Sequence, residues 1–358
     1  RSEYEIMIKN HERDSYKWIV LGISFSLMLV FAISLQSLPP IFGNIMKDIP
    51  FSNKQAGLLR SVYSIIGIFF PFFVAFSAEK LDIKKTIIVA LSLVIMGLVG
   101  FSFSTSFTML LLFRLLSGAG ATVLVVLAPL LITMYFGKEK MGSAMGIFNT
   151  AVPLGTVISV NLFGYLGLVM DWRLIIRLII GFVAIVLLAV SFLLVIPKRE
   201  VEKDANKPKV KFNLSSSLIF LGMIWMITNG QLLAYTTFGS QFYDGFSLSP
   251  QRSSLLTSMI MLVPIFITPI IGIIIDKTGQ KKRLLFLGLS IMTIAFFGIV
   301  TSWLPLTFWA IALGGGFAFV PVVVVSLLPE LIKPEHTSFG LALLTTSSNL
   351  GIAIGPMG

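Results

Sequence analysis

The stretch from Gly272 to Arg283 most constrains what this chain can fold into, because it places one acid and four basic residues between two long apolar runs. Residues 255–275 before it and 284–300 after it each have the length of a bilayer crossing, which takes roughly 17 to 25 residues. A charged side chain at the centre of a membrane costs roughly 2.5 to 3.5 kcal/mol. The cluster is therefore predicted to be a short loop at one face of a membrane, and its basic excess predicts the cytoplasmic face.

The composition agrees with a membrane protein. With 56% hydrophobic and 12% charged residues and a mean hydropathy of +0.95, the chain has too much apolar surface for a soluble domain. A net charge of +11 would suggest nucleic acid in a soluble protein, but most of the 27 Lys and Arg fall in the predicted cytoplasmic segments. We therefore expect no nucleic-acid partner. The chain has no cysteine, which excludes disulfides and thiolate metal sites, and neither a metal nor a cofactor is predicted.

We predict an all-α integral membrane chain with eleven spans and a cytoplasmic N-terminus. Residues 1–17 form that N-terminus, 18–197 a first six-helix bundle, 198–214 a hydrophilic cytoplasmic linker, and 215–358 a second, incomplete bundle. The predicted spans are about 18–38, 56–76, 86–103, 107–135, 141–166, 171–197, 216–242, 253–275, 283–302, 304–328 and 337–358.

The charged stretch resembles the loop signature of the major facilitator superfamily, Gly-x-x-x-Asp-Lys-x-Gly-x-Lys-Lys, through Gly272, Asp276, Lys277 and Gly279. In that family the loop joins the second and third helices of each six-helix half. The resemblance therefore implies that a related loop should occur once more, about half a chain earlier.

A related loop does occur there. Glu79 and Lys80 precede Asp276 and Lys277 by 197 residues, although the earlier copy lacks both glycines of the signature. A second stretch, 139–155, returns at an offset of 196 residues. Two loops that return at nearly one period indicate an internal repeat of the kind on which transporter folds are built.

The resemblance implies a complete architecture. Two pseudo-symmetric six-helix bundles would rock about a central site, and a twelfth helix would lie beyond residue 358. Charged loop residues would form a cytoplasmic gate, and we expect a monomer in the cell membrane. The gate residues would be Gly272, Asp276, Lys277 and Gly279, with Glu79 and Lys80 as their counterparts in the first half.

Two arginines are predicted inside the membrane. Arg114, with Gly118 and Gly120, resembles the family's Arg-x-x-x-Gly-x-Gly signature and lies roughly 10 Å deep at 1.5 Å per residue. It should face a wet cavity, a carbonyl cluster or an anion. The alternative is a structural arginine that bonds helix carbonyls. Arg60 is the second predicted intramembrane cation. The alternative to a site role for Arg60 is that its side chain snorkels to the outer headgroups, and we expect snorkelling for Arg173 as well.

No Asp, Glu or His lies inside the eleven predicted spans. Embedded arginines without acids favour an anionic substrate, because a guanidinium offers permanently charged, bidentate donors. Neutral polar side chains could complete the binding site. Gly230 would allow span 7 to break near its polar residues, which would free backbone groups for the substrate. Hydrogen bonds between helices would explain the polar residues equally well. The candidates are Asn229, Gln231 and Tyr235 on span 7, Asn149 on span 5 and Asn349 on span 11.

We therefore predict a secondary active or facilitative transporter of a small anion, with the substrate and the lipid bilayer as its partners. The first alternative is an exporter of neutral or amphipathic compounds. Span 5 weighs against it, because Ser159-Val160 stands where drug/proton antiporters have Gly-Pro. The second alternative is a non-transporting receptor or scaffold. An enzyme is not expected, because the sequence shows no nucleophile arrangement, metal cluster or nucleotide loop.

Overall fold

The computed structural model describes residues 2–69, 82–136, 144, 147–196, 215–332 and 337–357. These residues form helices and turns, with no β-strand among them. The helices are α1 (Ser2–Gln36), α2 (Phe42–Asp48), α3 (Asn53–Ser61), α4 (Ile83–Ser102), α5 (Phe107–Tyr135), α6 (Ala151–Ile158), α7 (Gly164–Val169), α8 (Trp172–Leu193), α9 (Ser216–Asp244), α10 (Pro250–Thr278), α11 (Lys281–Thr301), α12 (Leu306–Leu331) and α13 (Thr337–Ile354).

Within the described residues, nine helical segments are long and apolar enough to cross a membrane. They correspond to nine of the eleven predicted spans, with the predicted span 5 formed by α6, α7 and the turn between them. The predicted span 2 runs on into residues 70–81, which lie outside the described part of the chain. The predicted span 11 corresponds to α13.

Polar side chains fix the starts of many of these helices. Each of these residues accepts a hydrogen bond from a backbone N–H in the first turn of its helix, which satisfies a donor that the helix itself leaves free. At the end of α10, Gly279 adopts a left-handed conformation with φ 64°, which suits glycine best. The N-cap residues are Ser52, Asp82, Ser106, Asp171, Ser215 and Ser249.

The helices pack mainly within two sets. In residues 15–196, which we call the first half, α1 packs on α5, α6 and α8, and α4 packs between α5 and α8. In residues 215–357, the second half, α9 packs on α13 and α10, and α12 packs on α10 and α11. The halves meet where α3 and the turns after it contact α13, and where α6 contacts α10.

The chain after α3 is irregular where the sequence predicts a continuous span. Two 3₁₀ turns, Val62–Ser64 and Ile66–Ile68, follow α3. Such turns leave carbonyls without an α-helical partner, which is costly in an apolar medium unless another group bonds them. Here the side chains of Thr346 and Asn349 on α13 donate to Ile68 O at 3.2 Å and Gly67 O at 2.8 Å.

The predicted break in the helix at Gly230 is wrong. Helix α9 is continuous from Ser216 to Asp244, and Gly230 is buried against Gly351 and Gly355 of α13. A Cβ on Gly355 would lie 2.1 Å from Gly230 O. The glycine is needed for close approach of two backbones rather than for a change of direction.

The two halves are in close contact at one end of the bundle, where α1 ends and α3 begins, which we call the Pro39 end. A Cβ on Gly57 would lie 1.9 Å from Pro356 O, and one on Gly164 would lie 2.7 Å from Ser254 Oγ. At the opposite end, long side chains tie helices of the same half together. Lys84 Nζ donates to Ser191 O at 2.9 Å in the first half, and Lys281 Nζ donates to Ser326 O at 2.9 Å in the second.

Candidate functional site

Two arginines from different helices meet at the C-terminus of α1. Arg60 on α3 and Arg114 on α5 have 0% and 1% of their surface exposed. Ser37 and Leu38 follow α1 and lead into Pro39 and Pro40, and proline cannot continue a helix. The last carbonyls of α1 therefore have no partner within the helix, and both guanidinium groups bind there.

Arg114 bonds this helix end with both terminal nitrogens. Its Nη1 donates to Ser34 O at 2.8 Å and its Nη2 donates to Leu35 O at 3.1 Å. The guanidinium carbon also lies 4.2 Å from the centre of the Tyr63 ring, a cation–π distance. The sequence predicted that Arg114 faces a wet cavity, a carbonyl cluster or an anion. The described contacts are those of a carbonyl cluster.

Arg60 reaches further and touches both halves. Its Nη1 donates to Leu35 O, and its Nη2 donates to Gln36 Oε1. The same Nη2 lies 3.4 Å from Thr236 Oγ1 on α9 of the second half. Arg60 therefore does not snorkel to the headgroups, because its terminal nitrogens are occupied inside the protein.

Sequence reasoning missed Gln36 and Thr236. Gln36 carried a usable signal, because it is a polar side chain at the very end of an apolar span. Thr236 carried none, since its hydroxyl bonds Leu232 O at 2.9 Å in the way of any buried helical threonine.

The site retains positive charge and free polar atoms. Neither arginine takes part in an ion pair among the described residues. A helix C-terminus offers about half a negative charge, against two full positive charges here. The Nε atoms of Arg60 and Arg114 are buried without an acceptor and the Ser64 hydroxyl is buried without a partner, whereas the Tyr63 hydroxyl lies against that of Ser34. Buried polar groups usually have partners, so a cluster of such groups indicates an incomplete site.

The predicted ligand groups on α9 bond elsewhere. Asn229 donates to Trp225 O at 2.8 Å within its own helix, and Gln231 is exposed. The Tyr235 hydroxyl lies 2.9 Å from that of Tyr243 and donates to Leu256 O at 3.3 Å. None of the described hydrogen bonds joins these three side chains to either arginine. Their role as ligand groups stays a prediction, and the structure gives Tyr235 a packing role between α9 and α10.

The two remaining asparagines differ from each other. Asn349 is buried and donates to Gly67 O and to Thr345 O at 3.0 Å, so it holds α13 against the irregular turns of the first half. Asn149 is exposed just before α6. The structure thus brings together Arg60 and Arg114 directly, and places Asn349 at the same boundary between halves.

The predicted gate is only partly within the described residues. Glu79, Lys80 and the side chain of Asp276 lie outside them. Gly272 belongs to α10, exposed Lys277 lies in its last turn, and Gly279 ends it. Asp82, near the first copy of the loop, caps α4, and the backbone N–H of Lys85 holds the pKa of this carboxyl below its usual value.

Arg173, for which snorkelling was expected, forms an ion pair instead. Its Nη1 lies 2.5 Å from Asp48 Oδ2, which also accepts from Trp172 Nε1 at 2.9 Å. The guanidinium stacks 4.3 Å from the centre of the Trp172 ring. This partly exposed cluster ties α2 to α8 at the Pro39 end. Among the described residues, no group of three His, Asp or Glu side chains could hold a metal ion.

A family model decides the wider question of what kind of protein this is. The model described as Major Facilitator Superfamily matches residues 23–356, nearly the whole chain. The chain belongs to the Major Facilitator Superfamily. It is therefore a multi-pass membrane protein of a transporter family and not an enzyme, and its all-α fold is confirmed.

Curated relatives are distant. The chain is 28% identical over 253 residues to the uncharacterized MFS-type transporter YcnB of Bacillus subtilis (70% of this chain, 50% of that protein). It is 25% identical over 231 residues to the hexuronate transporter of the same organism (60% and 53%), and 22% identical over 340 residues to the human lysosomal dipeptide transporter MFSD1 (87% and 72%). The matches to the two Bacillus proteins thus span only about half of their lengths.

Solved structures show the same fold. A bacterial homolog of the human lysosomal transporter Spinster, in an inward-facing and occupied conformation, aligns with a TM-score of 0.77 at 18% identity and covers 95% of this chain and 80% of that one. The nucleoside transporter NupG aligns with a TM-score of 0.71 at 16% identity and covers 96% and 89%. At these identities the likeness concerns the fold alone.

Proposed function

We propose that this major facilitator protein is a secondary transporter that moves a small organic anion with a carboxylate group by alternating access. The observation that carries the proposal is the pair of buried guanidinium groups at the end of α1, which form no ion pair with a described residue. Burying a charge in a membrane protein is expensive, and such groups typically mark a substrate pathway.

The carbonyl contacts of the arginines do not use up their charge. A helix C-terminus neutralises about half a charge, so the site keeps a positive charge of about one and a half. The Tyr63 ring adds a cation–π contribution, which is weaker than a carboxylate partner. An anion that enters this site supplies the negative charge that the described residues do not.

The free donor atoms suit a carboxylate in particular. Both Nε–H groups are buried without an acceptor, and a carboxylate binds a guanidinium through two parallel N–H···O hydrogen bonds. The unpaired Ser64 hydroxyl lies on the irregular segment that follows α3 and offers a further donor. Anions with a carboxylate fit this donor set better than uncharged sugars or nucleosides.

The named substrates of two relatives agree with this chemistry. A hexuronate is an anion with a carboxylate, and a dipeptide is a zwitterion that ends in a carboxylate, as the relatives' names state their substrates. Both relatives are distant, so they support the class of ligand and not a particular compound.

A second candidate function is favoured by one observation. Arg114 places both terminal nitrogens on backbone carbonyls of α1, as a purely structural arginine would. In that case the protein would carry neutral or amphipathic cargo on the same fold, and the arginines would only hold α1, α3 and α5 together.

Uptake by proteoliposomes separates the two candidates. Wild-type protein should accumulate D-glucuronate or the dipeptide Ala-Ala in preference to uncharged D-xylose. Arg114→Gln should lose at least tenfold in uptake, and Arg114→Lys should recover only part of it, because lysine keeps the charge but not the bidentate geometry. Arg173→Gln is the matched control, since Arg173 is paired with Asp48 at the surface. Preferred uptake of xylose, or unchanged carboxylate uptake by Arg114→Gln, would exclude the anion site.

Orientation and gating complete the proposal. We infer a cytoplasmic N-terminus in the cell membrane, from the basic bias of the loops at the end opposite Pro39. The Pro39 end would then face outward and be the closed side. Asp276 at the end of α10 would act in the cytoplasmic gate, and Asp276→Asn would change the balance between the two open states.

A further inference from the structure

Arg60 is bonded on the same nitrogen by groups from the two halves of the molecule. Its Nη2 donates to the Gln36 side chain of the first half and lies 3.4 Å from the Thr236 hydroxyl of the second half. Both acceptors are neutral. A change in the hydrogen bonding of this nitrogen therefore alters a contact in each half at the same time.

Only one edge of the Arg60 guanidinium is suited to an anion. The Nη1 atom is taken by Leu35 O. The Nε atom is buried without an acceptor and lies beside Nη2, so these two N–H groups form the edge to which a carboxylate would bind in a bidentate manner. Nη2 has two N–H groups and already has two acceptors, so a carboxylate on that edge must replace one of them, and the long contact to Thr236 is the weaker of the two.

We propose that Thr236 is a positioning residue that the substrate anion displaces from Arg60, so that occupancy of the site loosens the contact between the halves at the Pro39 end. This inference rests on the proposed function. Thr236 does not bind the anion. It holds Arg60 when the site is empty and releases it when a stronger acceptor arrives.

The balance of hydrogen bonds favours this exchange. A bond from a guanidinium to an ionised carboxylate is roughly twice as strong as one to a neutral acceptor. The Thr236 contact is long at 3.4 Å, and its hydroxyl keeps its bond to Leu232 O at 2.9 Å after release. The exchange thus leaves no buried hydroxyl hydrogen without a partner, and it removes a direct side-chain link between the halves.

The consequence is local to one end of the molecule. Arg60 is on α3, which also carries Gly57, and Gly57 is in backbone contact with Pro356 of the second half. Loosening of the Arg60–Thr236 contact therefore acts on the helix that closes the Pro39 end. An empty site keeps this end closed, and an occupied site permits it to open.

Distance measurements between spin labels test the inference. Labels on cysteines introduced at Lys54 and Gln251, both exposed at the Pro39 end and on opposite halves, report its opening, and the chain has no native cysteine to interfere. Without any anion, Thr236→Val should increase the population of long distances about fivefold, as expected for the loss of one net hydrogen bond. Thr236→Ser, which keeps the acceptor, should match the wild type.

The neighbouring threonine provides a matched control. Thr237 is equally buried, and its hydroxyl bonds only Leu233 O of its own helix at 2.5 Å in the described contacts. Thr237→Val should leave the distances unchanged. If Thr236→Val and Thr237→Val behave alike, Thr236 has no special role and the inference is wrong.

Addition of D-glucuronate or Ala-Ala separates this inference from the proposed function. Wild-type protein should shift toward long distances when either carboxylate compound is added, and Thr236→Val should respond less because its link is already absent. If carboxylates bind and are transported but the wild-type distances do not change, displacement of Thr236 is wrong and the anion site stands. If neither carboxylate compound binds, the proposed function fails, whatever Thr236→Val does without ligand.

Discussion

At the scale of single residues, Arg60 and Arg173 show how far side-chain type alone determines placement. Snorkelling was an alternative for the first and the expectation for the second, yet both have partners in the protein. Arg60 is buried because α1 ends in free carbonyls at the same depth. Arg173 stays near the surface because Asp48, which is far away in sequence, lies next to it in space. Neither partner can be identified from the local sequence.

Asn349→Leu should destabilise the protein, because it leaves Gly67 O in the irregular turns without its hydrogen bond. An unsatisfied buried polar group costs about 1 to 3 kcal/mol, so the apparent melting temperature in detergent should fall by several degrees. The control is Asn161→Leu, because Asn161 donates to Val157 O of its own helical turn at 2.9 Å. Equal melting temperatures for the two variants would show that Asn349 does not hold the turns.

At the scale of helices, glycine is ambiguous between breaking a helix and allowing close packing. Gly230 was expected to break span 7, whereas α9 is continuous and uses this glycine to approach α13. The irregular chain instead lies in span 2, after α3, and in a π-helical turn at Ser159–Phe163, where the sequence lacks the Gly-Pro signature. Which helix bends is decided by packing partners, and apolar periodicity does not reveal those partners.

Gly351→Ala should weaken the contact between α9 and α13. A Cβ there would lie 1.9 Å from Met226 O, a backbone atom that cannot move aside cheaply, and overpacking typically costs about 1 to 3 kcal/mol. Gly181→Ala in α8 is the control, because a Cβ at that position would have no heavy atom of a neighbour within 4 Å and alanine favours a helix. Thermal unfolding of the purified variants should separate them, and an equally stable Gly351→Ala would contradict the described packing.

At the scale of the whole molecule, the spans and the family were predictable and the site was only partly so. Apolar runs of bilayer length between charged loops are a property of local sequence, and nine of the eleven predicted spans meet the length and hydropathy of a crossing in the described residues. The two buried arginines were found because cations are rare in such runs. Gln36 and Thr236 were not found, because their contacts to Arg60 depend on how helices of both halves pack.

The orientation of the molecule can be tested with single cysteines in the otherwise cysteine-free chain. Lys54→Cys at the start of α3 and Lys282→Cys in the first turn of α11 are both at exposed positions and lie at opposite ends of the bundle. In intact cells, a membrane-impermeant maleimide should label the cysteine at 54 and not the one at 282, with permeabilised cells as the control. The reverse pattern would place the N-terminus outside.

The central claim is that the buried arginines bind the charge of a carboxylate, and equilibrium binding of a matched acid and amide to the wild-type protein tests it most directly. D-Glucuronate and D-glucuronamide have nearly the same shape and differ in charge. Calorimetry on purified protein should show binding of the acid at least tenfold tighter than binding of the amide, and Arg114→Gln should abolish the difference. Equal affinity of the wild-type protein for the two compounds would contradict an anion site at Arg60 and Arg114.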